Sequence, residues 1–176
     1  MPATPLHLGV SLPLFGVFRR RLEFAPLVIG SMVPDIEIIL MLPITGWDYR
    51  YRGVMHSFFG ALTIDMAVAL FLTYAFYPYF AKWLRSMSEC RKRSFHIFAG
   101  RDITALPSSL WSAGFSASLG ALSHVIWDAW NHPYNPLFWP LKLNFAPGGN
   151  MLFAVLLAHL VSGMLLIWAL EVYWQV

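Results

Sequence analysis

Apolar residues run in four long blocks along this chain, and polar positions gather between them. The first block extends from about Ala25 to Ile44, the second from Gly53 to Ala81, the third from about Ser109 to Asn131 and the fourth from Met151 to Trp174. A membrane-crossing helix needs about 20 mostly apolar residues, so each block predicts one crossing, and the second is long enough to tilt. Open strands do not suit these blocks, because unpaired backbone is expensive in hydrocarbon. The opening stretch, Leu6 to Phe18, is too short to cross. It predicts a half-helix tucked against the bundle or an interfacial segment, with a break or bend at Pro13. The expected fold is all-α: an integral-membrane helical bundle of about four spanning helices plus a short N-terminal half-helix. Residues 1–176 form a single transmembrane helical domain, and no internal repeat is visible.

Composition agrees with lipid as the solvent. Hydrophobic residues make up 58% of the chain and charged residues 12%, against roughly 25% charged in an ordinary soluble domain. The net charge of +3 is local. Arg19, Arg20 and Arg21 form one basic group; Lys82, Arg85, Arg91, Lys92, Arg93 and Arg101 form another. Between apolar spans such groups mark cytoplasmic loops rather than a nucleic-acid surface. Both termini then come out cytoplasmic, and the connections 46–52 and 132–150 lie outside. Arg50 and Arg52 work against that assignment for the first of them. Trp and Tyr crowd the block ends, as interfacial belts do. The basic residues follow the first apolar stretch instead of preceding it, the wrong order for a cleavable signal peptide. Cys90 is the single cysteine, which excludes an intramolecular disulfide and a thiolate-rich metal site.

The chemistry lies in polar groups inside or beside the blocks, since an ionisable side chain at the centre of a span costs at least ~2.5–3.5 kcal/mol. The sequence Ser123-His124-x-x-x-Asp128-x-x-x-His132 places side chains on successive turns of one helix face. A His and a carboxylate four apart can hold one divalent ion, with His132 as a third ligand; the same spacing also suits a hydrogen-bonded His–Asp pair. Asp35 and Glu37 follow Pro34 within the first block. Two carboxylates this close in apolar surroundings call for a cation. Either Pro34 breaks the helix and both converge, or one alone is a ligand; the alternative is an acid pair that meets Arg50 or Arg52. His56-Ser57 opens the second block at the same expected face as His124. Asp65 is out of phase with His56 and is expected to meet a neighbouring helix. His159 and His7 are each readable as a ligand or as a hydrogen-bonded packing residue.

The ordered set Met1-Pro2-Ala3-Thr4-Pro5-Leu6-His7, Ser31-Met32-Val33-Pro34-Asp35-Ile36-Glu37, His56-Ser57 and Ser123-His124-x-x-x-Asp128-x-x-x-His132-Pro133 resembles the domain of unknown function 4184 family, small multi-pass membrane proteins without an assigned reaction. Its motif order is similar to that of membrane-bound metal-dependent hydrolases, and more distantly to the all-helical zinc phospholipase C and P1-nuclease group. His159 with Ser162 and Gly163 looks like a displaced version of a later family element, and Glu37 stands where the hydrolase-like family tends to have Asp. The resemblance implies a metal-dependent hydrolase in the inner or cytoplasmic membrane, its site near the outer face. Asp35, His56, His124 and Asp128 are then the core ligands of zinc, with manganese as the alternative. Glu37, His132, His7 and His159 would be further ligands or supporting groups, with Glu37 also the catalytic proton acceptor. Phosphoester or lipid-linked substrates would suit that depth. The other function class is a non-enzymatic ion-binding or transport protein, using Asp65 and forming an oligomer; a structural protein with a metal-free polar network is the third.

Overall fold

The computed structural model describes residues 4–46, 48, 52–91, 96–131, 135–141 and 151–174. It is mostly helical, with one two-stranded hairpin. A 3-10 turn, Thr4–His7, leads into α1 (Leu8–Phe18). The chain then reverses at Arg19–Arg21 into α2 (Phe24–Gly30) and α3 (Pro34–Met41). A second 3-10 turn, Val54–His56, precedes α4 (Phe58–Leu62) and α5 (Ile64–Ala75). Then follow α6 (Tyr77–Arg91), the hairpin β1 (Ile97–Phe98) and β2 (Arg101–Asp102), α7 (Leu110–Asn131) and α8 (Met151–Tyr173).

Two helical stretches are long and apolar enough to cross a membrane, Phe58–Ala75 and Val155–Tyr173. The pair α2–α3, bent by 41°, makes a third if it counts as one span. The expected four crossings are therefore met in part. With 22 residues, α7 has the length, but its serines, tryptophans and His124 lower its hydropathy. It packs against α2, α4 and α5, and a helix enclosed by other helices needs less apolar surface than one facing lipid.

Several expected boundaries move. The second block is not one helix: Ser57 caps α4 by accepting the Gly60 N–H at 3.0 Å, and α4 gives way to α5 at Thr63. The span stops at Ala75, and Tyr77–Arg91, expected partly as span and partly as basic loop, is a helix of its own. Its Tyr77, Ala81, Leu84 and Ser88 are buried, a spacing of four, three and four that turns one face inward and leaves Lys82, Arg85 and Glu89 on the other side. Pro13 neither breaks nor ends α1, which runs through it.

The helices run in alternating directions. Ser31 Oγ lies 3.3 Å from Ser11 Oγ, and the Phe15 and Phe24 rings meet edge-on at 5.2 Å, so α1 and α2 are antiparallel. Gly9 faces the Ser162 backbone and Gly16 faces Tyr173, so α8 runs parallel to α1. This sorts the molecule into two ends. One holds Arg19–Arg21, the hairpin and Tyr173; the other holds His7, α3, the Val54–His56 turn and the C-terminal half of α7. The expected cytoplasmic N-terminus rests on sharing a side with Arg19–Arg21, whereas Thr4–His7 lie at the opposite end, with His7 beside Asp128; residues 1–3 lie outside the described residues.

The contact of α2 with α7 sets the spacing at the second end. A side chain at Gly30 would collide with the Ala117 carbonyl, and one at Gly120 with the Leu27 carbonyl. The two backbones touch because both positions lack a Cβ. At the first end Glu23 ties the same pair together. Its carboxylate accepts from the Ser108 hydroxyl (2.7 Å), the Ser108 N–H (3.1 Å) and the Ser112 hydroxyl (3.0 Å). Burial alone would raise this carboxyl, but those hydrogen bonds and the Arg101 charge outweigh it and hold its pKa below the ordinary value.

Candidate metal centre

Four separate elements deliver side chains to one buried point. On α7, His124 and Asp128 occupy successive turns of one face. Pro34 starts α3 as its first residue and puts Asp35 and Glu37 in the first helical turn, where backbone N–H groups favour negative charge. His56 and His7 each end a 3-10 turn. Asn135 holds the turn at His56 in place: with its amide oriented as its neighbours require, its nitrogen donates to the His56 carbonyl and its oxygen accepts the Ala129 N–H at 3.1 Å.

The donor atoms converge without hydrogen bonding to one another. His124 Nε2 lies 3.6 Å from Asp35 Oδ1; His56 Nε2 lies 3.8 Å from the same oxygen and 3.7 Å from Asp128 Oδ2; His7 Nε2 lies 3.8 Å from Asp128 Oδ1. His7, Asp35 and His124 form one group whose donor atoms all lie within 4.8 Å of one another, and His56, His124 and Asp128 form a second. The groups share His124, so they describe one centre. The His7 and His124 rings stack at 3.7 Å.

The far side of each key imidazole is already engaged. His124 Nδ1 lies 2.8 Å from the Ser31 carbonyl oxygen, which requires Nδ1 to be the donor and leaves the lone pair on Nε2. His56 Nδ1 faces Glu37 Oε2 at 3.4 Å, and the same oxygen accepts the Gly53 N–H at 3.0 Å. Among the described residues, His56 Nε2, His124 Nε2 and both nitrogens of His7 have no hydrogen-bond partner, although all are buried. Two donors on one tetrahedral ion at bond lengths of ~2.0–2.2 Å sit roughly 3.4 Å apart, close to the separations seen. The residues present therefore fit a divalent ion.

Of the residues singled out in the sequence, Asp35, His56, His124, Asp128 and His7 come together. Glu37 stands behind His56, on the side away from Nε2. His159 is half-buried on α8, where its Nδ1–H donates to the Val155 carbonyl of its own helix, and it belongs to neither donor group. His132 lies outside the described residues. Arg52 is the addition: it is buried, and its Nε donates to Asp128 Oδ2 at 3.0 Å. Its signal in the sequence was an arginine four residues before His56, legible as an acid's partner but not as a member of this cluster.

The chain matches, over residues 1–176, the family described as a domain of unknown function, DUF4184. It belongs to that family. No curated protein and no solved structure matches the chain. The DUF4184 match spans the whole set of motifs that meet at the centre, from His7 to Asp128, so the cluster lies wholly within the family's domain.

Proposed function

We propose that this DUF4184 protein is a membrane-embedded, metal-dependent hydrolase whose centre is Asp35, His56, His124 and Asp128, with His7 beside them. The observation that carries this reading is the Nε2 of His124 facing the Asp35 carboxylate across 3.6 Å while its Nδ1 is committed to Ser31. Lone pair then faces lone pair, an arrangement that a cation between them makes favourable. Three carboxylates, Asp35, Glu37 and Asp128, stand beside the imidazoles of His56 and His124, a set of groups that suits a divalent cation. Mixed nitrogen and oxygen donors suit zinc, and manganese is the alternative.

A bound ion supplies Lewis-acid chemistry and brings the pKa of water down to about 7. The protein's own groups do the rest. His56 and His124 present Nε2, Ser31 and Glu37 fix the tautomers and ring angles from behind, and Arg52 restrains Asp128. Glu37 was expected as the proton acceptor; its place at Nδ1 favours the orienting role. With the arginine-rich end in the cytoplasm, α2–α3, α4–α5, α7 and α8 are the four crossings, and the centre lies toward the outer face. The test is hydrolysis of a panel of phosphoesters and acyl esters by detergent-purified protein. Turnover that a chelator abolishes, zinc or manganese restores and His124→Ala lacks supports the reading; no turnover by metal-replete protein counts against it.

One observation favours a second reading, an ion-transit protein. Asp65, within the span Phe58–Ala75, is fully buried, and neither carboxylate oxygen has a hydrogen-bond partner among the described residues. Metal flux into proteoliposomes that Asp65→Asn abolishes would favour transport over hydrolysis.

A further inference from the structure

An apolar cleft of about 530 Å3 runs beside the centre, between α2–α3 on one side and α5 with the start of α6 on the other. Ile29, Met32, Ile36, Leu72 and Phe76 line it, and Asp35 forms part of its wall. Tyr77 brings the other polar side chain of the lining, and its hydroxyl is taken, donating to the Ile103 carbonyl at 2.6 Å. Asp35 is thus the residue that the cleft shares with the centre, where its carboxylate faces His56 and His124. Of the elements that line it, α5 and the bent pair α2–α3 are apolar enough to cross a membrane, and Ile39 and Phe76 on the lining are exposed, so the cleft opens sideways onto the lipid-facing surface.

Size selects the occupant. The cleft follows Ile29 to Ile39, about 15 Å of helix rise. A pocket of this volume, almost wholly apolar and bordered by one residue of the centre, suits the hydrocarbon part of an amphiphile. A second apolar groove, lined by Met66, Leu70, Trp111 and Phe115, has none of the centre's residues in its lining.

Resting on the hydrolase reading, we propose that the cleft beside Asp35 seats the hydrocarbon chain of a membrane lipid and delivers its ester-linked polar head to the centre. The substrate class is thus a lipid taken from the bilayer plane rather than a water-soluble ester.

The test uses hexadecyl phosphate carrying a photoreactive diazirine at mid-chain, added to the full chain in nanodiscs and mapped by peptide mass spectrometry. We expect adducts at Ile29–Ile36 and Leu72–Phe80 to exceed those at the Met66–Trp111 groove by about tenfold. Ile36→Trp, which fills the cleft, should remove that excess and leave metal content at the wild-type level; if it does not accumulate, Leu72→Trp fills the cleft from the opposite wall. Equal labelling of the two grooves, or an excess that both filling variants leave intact, overturns the proposal. Metal content and hydrolysis are scored separately. Protein that labels in the cleft but neither holds metal nor hydrolyses sinks the hydrolase reading alone, and protein that hydrolyses a soluble ester without cleft preference sinks the cleft alone.

Discussion

Glu37 Oε2 stands 3.4 Å from His56 Nδ1 and binds the Gly53 N–H with the same oxygen. A carboxylate so placed does not touch the point where the Nε2 atoms meet. It sets the angle of the His56 ring and the nitrogen that keeps the lone pair. Supporting carboxylates of this kind are worth about 10–100-fold in metal affinity. Glu37→Gln keeps an acceptor for Gly53 and should lower zinc affinity within that range without emptying the site. Competition titration with a chromogenic chelator measures it. An unchanged affinity would remove Glu37 from the centre.

Arg52 and Asp128 form a buried pair, and breaking such a pair by removing one partner costs about 3–5 kcal/mol. Arg52→Met should lower the melting temperature of metal-free protein strongly. Added zinc should stabilise the variant more than the wild type, because the ion then takes over the positive charge that Arg52 brought to Asp128. Thermal unfolding in detergent with and without zinc reads both effects. Equal zinc shifts in the two proteins would contradict the placement of Arg52 at the centre.

The approach of α2 to α7 depends on Gly120, where a Cβ would meet the Leu27 carbonyl. Gly120→Ala should destabilise by about 1–3 kcal/mol through overpacking and should also weaken metal binding, since His124 lies one turn further along α7. Gly46 makes the comparison. A side chain there meets nothing within 4 Å, although its φ of +65° brings a backbone penalty of its own. Gly46→Asn tolerates that φ and should leave metal binding intact.

Glu23 gives a pH dependence at the other end of the molecule. Its folded pKa is lowered, so its contribution is present above the ordinary carboxyl value of about 4.3 and is lost as pH falls through the folded pKa. Wild-type stability should therefore drop more steeply than that of Glu23→Gln between about pH 5 and pH 3, and the two should run parallel near neutrality. Parallel curves throughout would mean that Ser108, Ser112 and Arg101 do not favour the charged form.

Much of the centre could be read from spacing. The four-residue step from His124 to Asp128 survives folding because α7 is a continuous helix, so neighbours on one turn stay neighbours. Asp35 was legible as a costly charge in an apolar run, and Pro34 as a break in the first block, which the structure places as the first residue of α3. What local pattern could not supply was the meeting of elements distant along the chain. His7 reaches Asp128 because α1 runs antiparallel to α2, a fact carried by the Ser11–Ser31 and Phe15–Phe24 contacts and by no motif. Arg52 was legible as a partner of the Asp35 and Glu37 pair but not of Asp128, and Asn135 stood in a connection, where a lone polar residue reads as solvated. The second block read as one helix because apolar residues continue past Ala75; the inward face of Tyr77, Ala81, Leu84 and Ser88 shows that the apolar run changes its role there, from a helix apolar enough to cross a membrane to an amphipathic cover.

The central claim is that the buried imidazoles and carboxylates hold a metal ion, and elemental mass spectrometry of detergent-purified protein tests it most directly. Wild type prepared without chelator and supplied with zinc or manganese should retain about one ion per chain, and the double variant His124→Ala, Asp128→Ala, matched for folding by size-exclusion profile, should retain none. A wild type that stays metal-free under those conditions, or a double variant that binds as much as the wild type, contradicts the claim and returns the cluster to a hydrogen-bonded packing network.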